Sequence, residues 1–168
     1  MIEYTVRVHA DRTEWRLDRQ LHRENGPAIE YADGNKEWYL NGQLHREDGP
    51  ALEQANGTKK WYLNGLLHRV DGPAIEWMDG SKEWWVNNNR HRQDGPAIEW
   101  SDGHKEWWVN DKLHREDGPA VEYTSGNKAW WLNGQEYSEQ EFNQLTQTKE
   151  LSVAEIEQLL GYKIKVVR

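Results

Sequence analysis

At 168 residues the chain has room for one domain, or for one repeat array with a terminal cap. A net charge of -8 without a Lys/Arg cluster argues against direct binding to nucleic acid or anionic lipid, both of which need positive charge to displace counterions. The absence of Cys removes disulfide frameworks, thiolate zinc sites and Cys nucleophiles together.

The mean hydropathy of -1.10 is that of a disordered chain, yet 11 Trp and 7 Tyr supply large apolar area that the average conceals, so a folded chain with an aromatic core is expected. No apolar run of signal-peptide or membrane-span length occurs, and the expected location is the cytoplasm, without membrane association.

Residues 1–20 look irregular until each is set beside the residue 23 positions further along the chain. Glu14-Trp15 then falls on Glu37-Trp38, Leu17 on Leu40 and Gln20 on Gln43, a degenerate capping copy. Ile2, Tyr4, Val6 and Val8 alternate with polar residues as a half-buried strand does, and Arg7, Arg12 and Arg16 would guard its edge.

Residues 21–135 are five 23-residue copies without an insertion or deletion, beginning at Leu21, Leu44, Leu67, Arg90 and Leu113. Each carries three turn signals: Asn/Asp-Gly before the Pro, Gly34 and its equivalents, and Asn41-Gly42 and its equivalents. The segments between them are too short for helices and rich in Trp, Tyr, Ile and Leu, which suit strands. All five Pro stand in one column, at the first residue of a strand, where a missing N–H is tolerated. Each copy therefore reads as two long strands and a short one, with Tyr39 opposite Leu44 and Trp38 opposite His45. One copy buries too little surface to fold alone, so stacking and capping are required. The Glu30-type and Lys36-type columns are expected to form a charge ladder on adjacent strands.

Residues 136–168 break the pattern. Ser138-Glu139-Gln140-Glu141 and Ser152-Val153-Ala154-Glu155 both match the capping box, each followed by helically spaced apolar residues. Gly161 stops the second helix and Tyr162 to Val167 alternates as a strand, giving a helix, helix, strand cap. The expected fold class is an all-β repeat array, an elongated antiparallel β-meander with a small α/β C-terminal cap.

The period, with Tyr39-Leu40-Asn41-Gly42-Gln43-Leu44-His45 and then Asn56-Gly57, resembles MORN repeats, 23-residue β-hairpin units. The departure lies after His, where Arg46-Glu47-Asp48-Gly49-Pro50 replaces the usual glycines. The variant unit L-H-R-x-D-G-P-A is similar to repeats in proteins of bacteriophages and large DNA viruses. The resemblance implies a single-layer sheet used for binding or scaffolding, not catalysis, and a phage or viral factor acting on a host protein in the host cytoplasm. The acidic surface argues against the lipid binding associated with the family.

The five His-Arg pairs tempt an enzymatic reading, but His45-Arg46-Glu47-Asp48 has no Gly-rich loop or Asp-Phe-Gly beside it. A group repeated at one period is explained by stacking: an imidazole beside Trp, bonded to a turn carbonyl. His of neighbouring copies stand about 9–10 Å apart, too far to share a metal. His9 and His104 read as turn or surface residues. No enzyme, metal or cofactor is expected.

Trp38 and its equivalents form a core column, and the next residue along points to the other face of the sheet. Recognition in repeat proteins sits where copies differ. The divergent column is Tyr31, Gln54, Trp77, Trp100 and Tyr123, and irregular turns stand at Asn87-Asn88-Asn89 and Asn110-Asp111-Lys112. The candidate partner-binding residues are Trp77, Trp85, Trp100, Trp108, Met78, Asn88, Asn89, Asp111 and Lys112, with aromatic anchors leading. A protein partner is the first expectation and a glycan or small ligand on the aromatic row the alternative. A homo-oligomer is left open.

Overall fold

The computed structural model describes residues 3–146, 153–161 and 163, and among these the chain is an all-β repeat array with two short helices. The structural unit is set seven residues on from the sequence copies, and a copy is counted in these units from here on. Residues 28–50 form the first: strand Ile29–Tyr31, a turn over residues 32–35, strand Lys36–Glu37, then Trp38, strand Tyr39–Leu40, the Asn41-Gly42 turn and strand Gln43–Leu44. Lys36–Glu37 pairs antiparallel with its own Ile29–Tyr31 on one side and with Leu52–Glu53 of the next copy on the other. Repetition of that pairing makes one 14-stranded antiparallel sheet.

The long strand expected from Lys36 to Leu40 is interrupted at Trp38. Its N–H donates to Ala51 O of the next copy at 2.8 Å, while its carbonyl accepts from His45 N of its own copy at 3.0 Å. Trp38 is thus where the chain leaves the long sheet for a small hairpin. The hairpins are stitched in turn: Gly65 N–H donates to Leu44 O and Arg46 N–H to Tyr62 O. Asn41 and Gly42 have φ of 50° and 76°, both positive, which matches the twist of a two-residue hairpin. Asn87-Asn88 and Asn110-Asp111 keep that geometry without glycine, because Asn and Asp tolerate the left-handed region.

Register explains the uniform columns. Glu30 faces Lys36, Lys36 faces Glu53 and Glu53 faces Lys59, and the alternation continues to Lys128, so the charge ladder runs through the whole array. One step along, Trp and Ala alternate across the strands, since Trp38, Trp61, Trp84 and Trp107 donate to the carbonyls of Ala51, Ala74, Ala97 and Ala120. The Ala column is fully buried, and Ile29, Ile75, Ile98 and Val121 are buried beside it on the other face.

The His-Arg-x-Asp-Gly-Pro loop folds back over its own Trp. The Arg46 guanidinium lies 4.3 Å from the Trp38 ring centroid, and Arg69, Arg92 and Arg115 repeat the stack on Trp61, Trp84 and Trp107. Arg46 also donates to Asp48, to the Pro50 carbonyl and to Glu53. Hydrogen bonding to Arg46 holds the Asp48 carboxyl below its ordinary range, as Arg69 does for Asp71 and Arg115 for Asp117. One cation therefore explains five columns: the Trp it covers, the Asp and Glu it bonds, the Pro whose carbonyl it satisfies, and the Gly beside it.

The histidines reach the next copy, not a turn carbonyl. His45 Nδ1 lies 2.8 Å from the Asn64 side-chain oxygen and 3.2 Å from the Asn64 backbone nitrogen, and His68 meets Asn87 in the same way. The turn columns of His and Asn are thereby tied together along the array.

At the N-terminus the degenerate copy is a structural copy. Trp15 N–H donates to Ala28 O, and Arg23 stacks on Trp15 at 3.9 Å. Strand Thr5–Val8 pairs with Arg12–Leu17 but is exposed at every residue, with Val8 78% exposed, contrary to the half-buried strand expected. Among the described residues no further copy packs over this outermost strand. Arg12 and Arg16 lie one strand inside the edge, where they clamp the buried Glu14 and, Arg12 foremost, hold its carboxyl below the ordinary range.

At the other end, helix α1 (Glu139–Thr146) begins with the expected capping box. Glu141 N–H donates to Ser138 Oγ, and Ser138 N–H to Glu141 Oε2. Phe142 is buried, and α1 packs against strands Lys128–Leu132 and Gln135–Tyr137. Helix α2 (Val153–Leu160) ends at Gly161, whose φ of 73° and bond to Glu157 O close it. Ser152 and most of the expected strand from Tyr162 to Val167 lie outside the described residues. No helix among the described residues is long and apolar enough to cross a membrane.

Candidate interaction surface

Because side chains alternate along a strand, Glu83 and Trp85 point away from the face that carries Trp84 and Arg92. Glu83 is the organiser of this second face: its Oε1 accepts from Trp77 Nε1 at 2.7 Å and its Oε2 from Trp85 Nε1 at 2.8 Å. One carboxylate thus joins the divergent column to the second aromatic row. Copy one does the same with phenols, Tyr31 and Tyr39 donating to Glu37. Burial, and then Glu37, pushes the Tyr39 phenol well above its ordinary pKa. In copy two the acid is replaced by Lys60, whose ammonium lies 4.7 Å from the Trp77 ring.

Copy four breaks the arrangement. Glu106 still accepts from Trp108 Nε1 at 2.7 Å, but its other oxygen lies 3.0 Å from His104 Nε2, in the position that Trp77 holds on Glu83. The equivalents of His104 in copies two and three are Thr58 and Ser81, almost wholly buried hydroxyls that accept a backbone N–H from the next copy. Trp100 is left 43% exposed, edge-on to His104, and Tyr123, 46% exposed, also meets that imidazole edge-on, at 4.9 Å.

Arg90 stands where four other copies have Leu. Its guanidinium lies 3.8 Å from the Trp108 ring and 5.6 Å from Trp85, and it donates to Asp111 at 2.7 Å. It covers both indoles of the middle copies and ties two copies together.

The structure brings Trp77, Trp85 and Trp108 into this network of half-buried indoles and presents Trp100 outward. Met78, 67% exposed, sits at the turn following Trp77. Asn88, Asn89, Asp111 and Lys112 lie at the opposite, hairpin end of the copies. There Asn88 accepts from Leu67 N and Asp111 from Arg90, so both side chains are spent on stitching neighbouring copies, while Lys112 packs beside Gly134. Sequence reasoning placed Tyr123 in the divergent column but not among the binding residues, read His104 as a turn or surface residue, and missed Glu83, Glu106 and Arg90. Arg in a Leu column was the visible signal for one, and His in a column of small polar turn residues for another.

Copy five supplies a natural deletion. Ala129 stands in the acid column, and the buried Trp131 Nε1 has no hydrogen-bond partner among the described residues. Ala129→Glu is expected to give that donor an acceptor and raise stability by about 1 kcal/mol. Ala129→Leu, which adds apolar bulk without an acceptor, is not. Chemical denaturation of the two variants decides it, equal effects showing that the orphaned indole is not the cause.

Scanned against protein-family models the chain has no match, and no curated protein matches it.

Proposed function

We propose that the chain is a MORN-like, non-enzymatic interaction protein that binds another protein across the aromatic face of copies three to five. The observation that carries this reading is the break in copy four. The repeat rule would tie Trp100 to Glu106, and His104 takes that place instead, leaving Trp100 and Tyr123 exposed on the sheet, with Met78 exposed in the corresponding turn of the preceding copy. Aromatic anchors of this kind dominate protein interfaces, and a scaffold that holds them preorganised spares the entropy of ordering them on binding. Given the resemblance of its unit to phage and viral repeats, the reading extends to a phage or viral factor that binds and modulates a host protein. The glycan alternative rests on stacking against the second aromatic row, and Arg90 already occupies the face of Trp108 that a sugar would need.

The test is affinity capture from the native cell, followed by titration of the captured partner against Trp77→Ala plus Trp100→Ala. A loss of at least about tenfold is expected from removing two anchors. Unchanged affinity in a double variant that keeps its circular dichroism spectrum sinks the assignment.

A further inference from the structure

The opposite face carries a second recurring feature. Between successive His-Arg-x-Asp-Gly-Pro loops lie four open cavities of 690, 530, 720 and 760 Å³ in chain order. Their floors are Trp38 with Leu40, Trp61 with Leu63, Trp84 with Val86 and Trp107 with Val109, and two consecutive loops form the walls of each. We propose that this row of cavities binds a basic, proline-rich segment in the polyproline II conformation, three residues to each copy.

Spacing is the first argument. Consecutive copies are two strands apart, about 9.4–9.8 Å. Polyproline II advances about 9.3 Å per three-residue turn, so every third residue stays in register over four cavities to within about 2 Å. An extended strand repeats a face every ~6.7 Å and an α-helix every ~5.4 Å, and both fall out of step within one copy. Chemistry is the second. Each floor Trp carries its Arg on the ring, so a proline ring packs on the part of the indole that still lines the cavity and on the Leu or Val beside it, and its fixed backbone leaves little entropy to lose. Charge is the third. Of the carboxylates, Arg23 is bonded to Glu30 alone and each later wall Arg to an Asp and a Glu, as Arg69 is to Asp71 and Glu76. That Glu is matched by the Lys of the ladder, so Arg and Asp balance before the exposed acids of the loops are counted. Glu47 and Glu116 add further exposed negative charge at the rims. The excess suits Lys or Arg at the third position of each triplet.

The experiment titrates the full chain into a fluorescein-labelled peptide of Pro-Pro-Lys triplets and follows anisotropy. Tight binding is expected, at least about tenfold better than an alternating Pro-Lys peptide of the same charge, with no binding of Pro-Pro-Glu triplets. Glu47→Lys plus Glu116→Lys, at side chains more than four-fifths exposed, should weaken it at least about fivefold while leaving the fold intact. Trp77→Ala plus Trp100→Ala, on the other face, should leave it unchanged. Equal affinity for the two basic peptides, indifference to the charge reversal, or loss through the variants of the other face would each overturn the proposal.

Discussion

Gly95→Ala is expected to cost about 2 kcal/mol in the otherwise unaltered chain and close to nothing once Arg92 is already alanine, a coupling of the size seen for residues in contact. A β-carbon at Gly95 would stand 2.9 Å from Arg92 Cζ, closer than such atoms pack. Arg92 is not free to yield, because its guanidinium is stacked on Trp84 and bonded to Asp94, the Pro96 carbonyl and Glu99. The clash therefore dismantles the cluster. Arg92→Ala alone should cost about 2–3 kcal/mol, since it removes a cation–π stack and charge-assisted bonds that solvent only partly screens. With the guanidinium gone, alanine at 95 is freed of its three nearest contacts and loses less backbone entropy on folding than glycine does. Gly26 is the internal control. Its φ of 134° lies in the region that L residues avoid, so Gly26→Ala should be costly whether or not Arg23 is present. Denaturant midpoints for the four chains of the Arg92/Gly95 cycle decide the matter, and additive costs would refute the account.

That glycine shows how much of the molecule is legible in the residues alone. The period, the Asn-Gly hairpins, the Glu/Lys ladder and the Ser138 capping box are all readable, because each depends on neighbours a few residues away or on strict repetition. The Gly-Pro column reads as a turn needing positive φ. At Gly49, Gly72, Gly95 and Gly118 it is glycine because a side chain from three residues earlier lies across it. The same kind of cause hides the break at Trp38, whose two backbone bonds go to residues 7 and 13 positions on and pull the strand in two directions.

The candidate surface is half legible for a related reason. Divergence points to Trp77, Trp85, Trp100 and Trp108, all of which lie on or join one face. It does not show that Asn88 and Asp111 diverge to stitch copies together, since their partners are 21 residues away. Nor does it weigh His104, whose meaning comes from the oxygen of Glu106 that it occupies. Edge effects are the remaining gap: alternation in residues 4–8 is identical whether a further layer covers the strand or not.

Ala97→Leu should be among the most damaging single changes in the array, at about 3 kcal/mol, the upper end of the range for overpacking. Ala97 is wholly buried, and register places it between two indoles: Trp84 donates to its carbonyl, and Ile98 beside it pairs with Glu106, which sets Trp107 opposite its other side. Strands about 4.8 Å apart can carry Trp on alternate members only if the strand between carries almost nothing. Alanine is the largest residue that such a site holds without pushing a Trp off its Arg. The added atoms of leucine must displace Trp84 or Trp107, and either displacement also loosens Arg92 or Arg115. In a quasi-one-dimensional array a defect in the middle weakens two interfaces at once, whereas one at the end frays a single copy. Ala97→Leu is thus expected to lower the denaturant midpoint more than Ala28→Leu and to split the unfolding transition in two. Ala97→Gly, which leaves space instead of filling it, should cost only about 1 kcal/mol. A Leu variant no less stable than the Gly variant would mean that the Trp and Ala columns are not packed as alternating large and small partners.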